Sequence, residues 1–212
     1  MTDLDPNTLG RVARRRQRSL EALIKAGQDV MGEKGIDAAT MLEIAERADI
    51  GAGTVYSFFK SKDDLALAVL ERLMLDLGNR IERVTNTFTD PAQVYAFGLR
   101  NVLDTATQDL RWKQLLNRSE VMADAMFRQM GPFAMRDLEN ASRAGRFRVQ
   151  DAAVVWRMAT HAIVGTALAI TAKALPEAAR DETLITLLCM TGIGRDEAVD
   201  LASRPCPALP AA

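Results

Sequence analysis

Strand patterning is almost missing from this sequence. Valine and isoleucine rarely alternate with polar residues over the four-to-eight-residue windows, roughly, that a half-buried strand needs. Aromatics are scarce at 5%, and there is a single histidine, His161. With no glycine-rich phosphate loop and no carboxylate pair at fixed helical spacing, no catalytic set can be assembled, so an enzyme is not expected. Cysteine is limited to Cys189, in an apolar segment, and Cys206, in a proline-rich one. No CxxC or other ligand spacing exists, so neither a metal nor another cofactor is expected, and isolated thiols suit a reducing cytoplasm. The N-terminus carries Asp3 and Asp5 and no apolar core, unlike a secretory leader. A membrane span of about 20 apolar residues is lacking too. The longest uncharged run, the 15 residues from Met158 to Ala172, includes His161 and three threonines and is expected to be a buried helix. Charge of one sign is not in excess: 27 Lys+Arg stand against 28 Asp+Glu.

What is abundant is Ala, Leu, Glu, Arg and Met, all good helix formers. Apolar residues are 48% of 212, enough for a sizeable core without disulfide staples. An all-α fold follows: an N-terminal three-helix helix-turn-helix domain and a C-terminal helical regulatory and dimerisation domain. After a frayed leader over 1–7, a first helix is predicted from Thr8 to Lys34, with Leu20, Leu23, Ile24, Gly27, Val30 and Met31 on one stripe and Gly35 as its C-cap. Thr40 and Glu43 have the spacing of a capping box and start a short helix, Met41 to Ala48. Asp49-Ile50-Gly51 is a tight turn before a second short helix, Ala52 to Phe58. Ser61 caps a third, which runs from Lys62 towards Val84.

Further helices are predicted from Pro91 to Thr107, Leu110 to Asn117, Val121 to Ala144 (with a break or kink at Gly131-Pro132), Asp151 to Ala174, Asp181 to Thr191 and Arg195 to Ala202. The domains are placed at 8–62 and 63–202, with 203–212 a disordered Pro/Ala tail.

Two helices of about seven residues joined by a short turn are too short to stand alone and hold only when packed on a third. That is the helix-turn-helix arrangement, whose second short helix enters the major groove of double-stranded DNA. Ile44, Ala45, Ala48, Ile50 and Val55 would form the small core. Gly51, Ala52, Gly53, Thr54, Tyr56 and Ser57 would face outward, small enough for close approach or able to hydrogen-bond phosphate and base edges; Phe58 and Phe59 are read as packing. Around them lie Arg11, Arg14, Arg15, Arg16 and Arg18, and after them Lys60 and Lys62. Residues 10–62 hold ten Lys/Arg and seven Asp/Glu, a local +3 on a chain of −1, placed for phosphate contact. A solvated arginine face, partly paired with Glu21, is the plainer alternative. Thr40 is a cap first, with phosphate as a second role. The recognition helix has no Arg, Asn or Gln ahead of Lys60, so specificity is expected to lean on DNA shape, phosphate placement and dimer spacing.

The stretch from Thr40 to Leu70 resembles the DNA-binding signature of the TetR family of transcriptional regulators. The resemblance is carried by Thr40, Ile44-Ala45, Gly53-Thr54-Val55-Tyr56, Phe58-Phe59 and Lys62, and extends over about residues 16–70. Two positions depart: Asp49 stands where the family has its turn glycine, and Gly51 where it has serine. Asp tolerates the left-handed conformation and Gly is an acceptable N-cap. The resemblance implies a homodimer, usually a repressor, whose C-terminal helices form both the dimer interface and a pocket for a small-molecule inducer. A protein partner, or no ligand at all, is the alternative control. Candidate pocket residues are Trp112, Met122, Met126, Phe127, Met130, Phe133, Trp156, Met158 and His161, for which plain core is the alternative. For His161, packing in the core or at the interface is favoured over a place in the pocket. Ala162, Gly165, Thr166 and Ala169, with Leu184, Leu187 and Leu188, are expected at a four-helix dimer interface.

Overall fold

A computed structural model describes residues 6–115 and 119–210. Among these there are ten α-helices and no strand. The chain divides into two compact units between Arg72 and Leu73.

In the first unit, α1 spans Pro6–Ala38 but is interrupted at Gly35 (φ 82°, ψ 167°), a conformation glycine adopts without steric cost. Next come α2 (Met41–Arg47) and α3 (Ala52–Phe58). The capping box is present: the Glu43 amide donates to Thr40 Oγ1 (3.2 Å) and the Thr40 amide to Glu43 Oε2 (3.1 Å). Asp49 takes φ 54°, the left-handed turn between the short helices. Leu23, Val30, Met31, Ile44, Ala45 and Val55 are buried together with Leu65 and Val69 of α4 (Lys62–Thr85). Ala48 and Ile50 are only half-buried. A Cβ at Gly27 would come within 2.8 Å of Val69 Cγ2, so that bare backbone admits α4. The first turns of α4 thus belong to this core, which therefore runs past Lys62, where sequence alone would end it.

The second unit holds the rest of α4, then α5 (Pro91–Gln108), α6 (Leu110–Leu115), α7 (Ser119–Arg143), α8 (Ala152–Thr171), α9 (Ala179–Cys189) and α10 (Arg195–Ser203). Residues 116 and 117 of the helix expected to end at Asn117 lie outside the described residues. The paired helices α7 and α8 pack on α5, with α9 and α10 closing the other side. Asp90 caps α5 through Ala92 N (3.0 Å), and Asp151 caps α8 through Ala153 N and Val154 N (2.9 and 3.1 Å).

Three expectations need correction. α7 runs unbroken through Gly131-Pro132. Pro132 is on its exposed face, where water can take the carbonyl that a proline leaves unbonded. Residues 203–210 are not a loose tail. Arg80 Nε donates to Pro210 O (2.7 Å), Arg100 Nη1 donates to Arg204 O (3.5 Å), and Arg204 pairs with Asp90 (2.8 Å). Nor is α8 buried on all sides: Val154, Met158, His161, Gly165 and Leu168 are exposed, at steps of three and four. Length and composition would let α8 cross a membrane. Its other face, with Trp156, Ala159, Ile163, Val164 and Ala167, is core of this unit.

Candidate DNA interface and ligand cavity

α3 presents Val55 inward and the rest outward. Gly51, Ala52, Gly53, Thr54, Tyr56, Ser57 and Lys60 are exposed, with Tyr56 at 59%. No Cβ placed at Gly51 or Gly53 would meet another atom within 4 Å, so this end of the helix is open to a large partner. The hydroxyls differ in what they have left to offer. Ser57 donates to Thr54 O (2.6 Å), and Thr40 donates to Glu43 Oε2 (3.0 Å) while accepting the Glu43 amide. Both protons are used internally, which fits Thr40 to a capping role. Tyr56 and Thr54 keep theirs for an incoming acceptor.

Lys62 sits at the start of α4 and donates through Nζ to Asp37 O (2.8 Å), joining that helix to the turn before α2. On α2, Arg47 holds Glu33 with both terminal nitrogens (2.9 and 3.1 Å), and Lys34 holds Glu43 (2.6 Å). These pairs lower the carboxyl pKa of Glu33 and Glu43, chiefly through the hydrogen bonds from Arg47 and from Lys34. Arg47 of α2 and Lys34 near the end of α1 are therefore spoken for. The arginines earlier in α1 are not: Arg11, Arg14, Arg15, Arg16 and Arg18 are exposed and make no ion pair among the described residues. Glu21 takes Gln17 (2.9 Å) instead. Arg14 and Arg18 return a guanidinium nitrogen to their own helix carbonyls (3.0 and 3.4 Å), and Arg16 lies 5.0 Å from the centre of the half-buried Phe58 ring. Phe59 is buried in the core.

The second unit contains a cavity of about 30 Å³ between α4, α5, α7 and α8, walled mainly by Gly78, Ile81, Leu99, Val102, Met130 and Phe133, with Tyr95, Asp137 and Trp156. Gly78 makes room for Phe133: a Cβ there would stand 2.8 Å from the ring's Cε2. Asp137 Oδ1 takes Arg136 (2.9 Å), whose other arm reaches Glu82. Burial pushes the Asp137 carboxyl up, against the pull of Arg136. Burial likewise pushes the Tyr95 phenol well above its ordinary value, with Asp137 adding to the shift.

Of the residues nominated from sequence, Met130, Phe133 and Trp156 line this cavity. Trp112, Met122 and Met126 are packed core, at 1%, 0% and 0% exposure. Phe127 lies under the Arg157 guanidinium, 3.6 Å from the ring centre. Met158 and His161 point away on the exposed stripe of α8, where His161 Nδ1 meets Arg157 O (2.9 Å). Leu184, Leu187 and Leu188 are internal core rather than an outer face. Sequence reasoning missed Tyr95 and Asp137. A hint was available for Tyr95, a lone hydroxyl in the apolar run Val94–Leu99; nothing in the run around Asp137 marked it.

A helix-turn-helix with an open recognition helix, followed by a helical unit with an internal cavity, defines the class of one-chain DNA-binding regulators. Residues 23–69 match the model for bacterial regulatory proteins of the tetR family, and 90–204 match the tetracyclin repressor-like C-terminal domain. The chain belongs to the TetR family of transcriptional regulators, and its function is regulatory, not enzymatic. RolR in complex with resorcinol superposes with a TM-score of 0.82 at 28% identity, covering 93% of this chain and 100% of that one. RolR without ligand gives 0.76 at 30% identity, covering 90% and 100%. Among curated relatives, the transcriptional activator FasR of Mycolicibacterium smegmatis is 30% identical over 56% of this chain and 52% of its own. The repressor KstR of the same organism is 27% identical over 58% and 59%. The matched region therefore spans little more than half the length of these relatives.

Proposed function

We propose that this regulator is a homodimeric, cytoplasmic repressor that leaves its operator when a small molecule enters the second unit. The observation that carries this reading is the pairing of an outward recognition helix, near exposed arginines that make no ion pair among the described residues, with a cavity whose wall includes residues of the next long helix, α4. α4 begins at Lys62 beside α3 and contributes Gly78 and Ile81 to the cavity wall.

In this reading Arg14, Arg15, Arg18, Lys60 and Lys62 neutralise phosphates. Thr54 and Tyr56 approach phosphate or base edges, the bare backbone of Gly51, Ala52 and Gly53 allows close approach, and Thr40 and Ser57 hold the local geometry. The DNA-binding part reaches through the first turns of α4, and the regulatory part follows. Two protomers pair through the exposed stripe of α8, where Gly165 permits close approach between apolar Val154, Met158 and Leu168. The dimer's recognition helices would meet operator half-sites about 34–36 Å apart, one turn of DNA. A ligand that favours a different separation shifts the population off the operator. Likeness to RolR, whose structure holds resorcinol, supports a small molecule over a protein partner.

The test is retardation of DNA from upstream of the gene by the purified protein, with a promoter reporter in parallel. Repression, and a protein dimer per shifted complex, are expected. Failure to retard that DNA at low salt sinks autoregulation, and a reporter that rises with added protein makes the regulator an activator.

A further inference from the structure

A buried polar atom without a partner is costly, and such atoms are few in folded proteins. The wall of the second unit's cavity carries two of them. The Tyr95 hydroxyl and Trp156 Nε1 have no hydrogen-bond partner among the described residues, and both side chains line the cavity. They are closed to solvent, at 3% and 2% exposure. The third polar group on the wall is the carboxylate of Asp137, also buried, at 9%. Arg136 engages it through Oδ1 alone (2.9 and 3.0 Å), leaving Oδ2 as an acceptor. The remainder of the wall is apolar, and no Lys, Arg or His is part of it.

This wall defines its occupant by complementarity. Trp156 can only donate, Asp137 Oδ2 accepts, and Tyr95 can do either. A matching ligand both accepts and donates at separate points around an apolar body. A carboxylate or phosphate would meet the Asp137 carboxylate, whose partner Arg136 already serves both Asp137 and Glu82, and low dielectric strengthens that repulsion. Two of the wall positions, Gly78 and Gly98, lack side chains; the Phe133 ring packs onto the first, and a Cβ at the second would meet only Ile81, at 3.7 Å.

We infer that the cavity is a receptor for a small neutral aromatic ring bearing two or more hydroxyls, read by Tyr95, Trp156 and Asp137. One ring hydroxyl donates to Asp137, and another accepts from Trp156, with Tyr95 completing the set. The inference rests on the reading of the second unit as ligand-binding. The cavity of about 30 Å³ has room for water, whereas benzene fits a cavity on the order of 150 Å³. Entry of a ring therefore moves wall side chains, and Phe133 and Met130 are the rotatable ones.

The experiment is calorimetric titration of the full-length protein with resorcinol, phenol, toluene, benzoate and stearoyl-CoA, with retardation of upstream DNA measured on the same preparations. Resorcinol is expected to saturate, phenol to bind about tenfold more weakly, and toluene and benzoate to give no signal. Asp137→Asn should weaken resorcinol about tenfold. Tyr95→Phe should weaken it severalfold while leaving the ligand-free melting temperature the same or higher, because the hydroxyl removed has no hydrogen-bond partner among the described residues. That second variant guards against a folding defect in the first. Toluene binding as tightly as resorcinol, no binding of either hydroxybenzene, or unchanged resorcinol affinity in both variants overturns the inference. If stearoyl-CoA alone binds and releases the DNA, ligand control stands and the hydroxybenzene assignment falls. If DNA is retarded and no compound binds, this assignment also falls while DNA binding survives.

Discussion

The Lys62 ammonium, at the first residue of α4, donates to the backbone carbonyl of Asp37 across 2.8 Å. An ammonium has three donors, so two remain for a phosphate beside the recognition helix. Lys62→Ala removes both roles. Stability should drop by about 1 kcal/mol, the usual net worth of one such bond, and the slope of log K against log salt should fall by about 1. Urea unfolding and DNA titrations at several salt concentrations measure the two effects separately. A stability loss with an unchanged slope would confine Lys62 to the internal tie.

The arginine arm should behave differently. Arg14, Arg15 and Arg18 are exposed and make no ion pair among the described residues. Replacing all three with Ala is expected to leave the melting temperature nearly unchanged and reduce affinity for every DNA sequence alike, with a salt slope lower by about 2–3. Selective loss for one operator would instead assign them to base reading.

Asp90 is the centre of a cluster in the second unit. Burial alone would raise its carboxyl pKa, but hydrogen bonds from Arg146 and Arg204 win and hold it below the ordinary aspartate value. A carboxylate depressed on folding contributes stability that is fully present above the unfolded pKa, near 3.9, and is lost as pH falls through the folded value. Acid unfolding should show this below about pH 4. Asp90→Asn keeps an equally good N-cap but loses the charge, so it should cost about 1–3 kcal/mol at pH 7 and flatten that part of the acid profile. An unchanged profile would show that Asp90 is not the titrating group.

Met158 and Leu168 are 55% and 40% exposed on the outer stripe of α8. A carboxylate at either position should be tolerated by the single chain and not by an apolar interface. Met158→Glu with Leu168→Glu is expected to yield a folded monomer with weak operator binding. Sedimentation and circular dichroism check both halves. A dimer that survives the double change would put the interface elsewhere.

Gly78→Ala places a Cβ 2.8 Å from Phe133. Overpacking of this kind costs about 1–3 kcal/mol, partly offset by the roughly 0.5–1 kcal/mol that alanine gains over glycine in a helix. Thermal melting should show a small net destabilisation, and titration a loss of ligand affinity as the ring is driven into the cavity.

Much of this architecture was legible in the chain because its signals are local. The Thr40–Glu43 box, the Asp49 turn and the break at Gly35 each depend on residues a few positions apart, and the structure has them where the spacing places them. The outward face of α3 followed from the period of a seven-residue helix with one buried position, Val55.

Tertiary structure decided what local spacing cannot. Which side of α8 faces out depends on where α5, α7 and α9 lie, so Met158 and His161 left the candidate pocket and joined the outer stripe. Leu184, Leu187 and Leu188 went to the core for the same reason. The proline-rich end was held at Pro210 by Arg80 and at Arg204 by Arg100, from helices more than 100 positions away in sequence. The cavity's polar set unites Tyr95 of α5, Asp137 of α7 and Trp156 of α8. A buried hydroxyl and a buried indole nitrogen without partners among the described residues become visible only once three helices have closed around them.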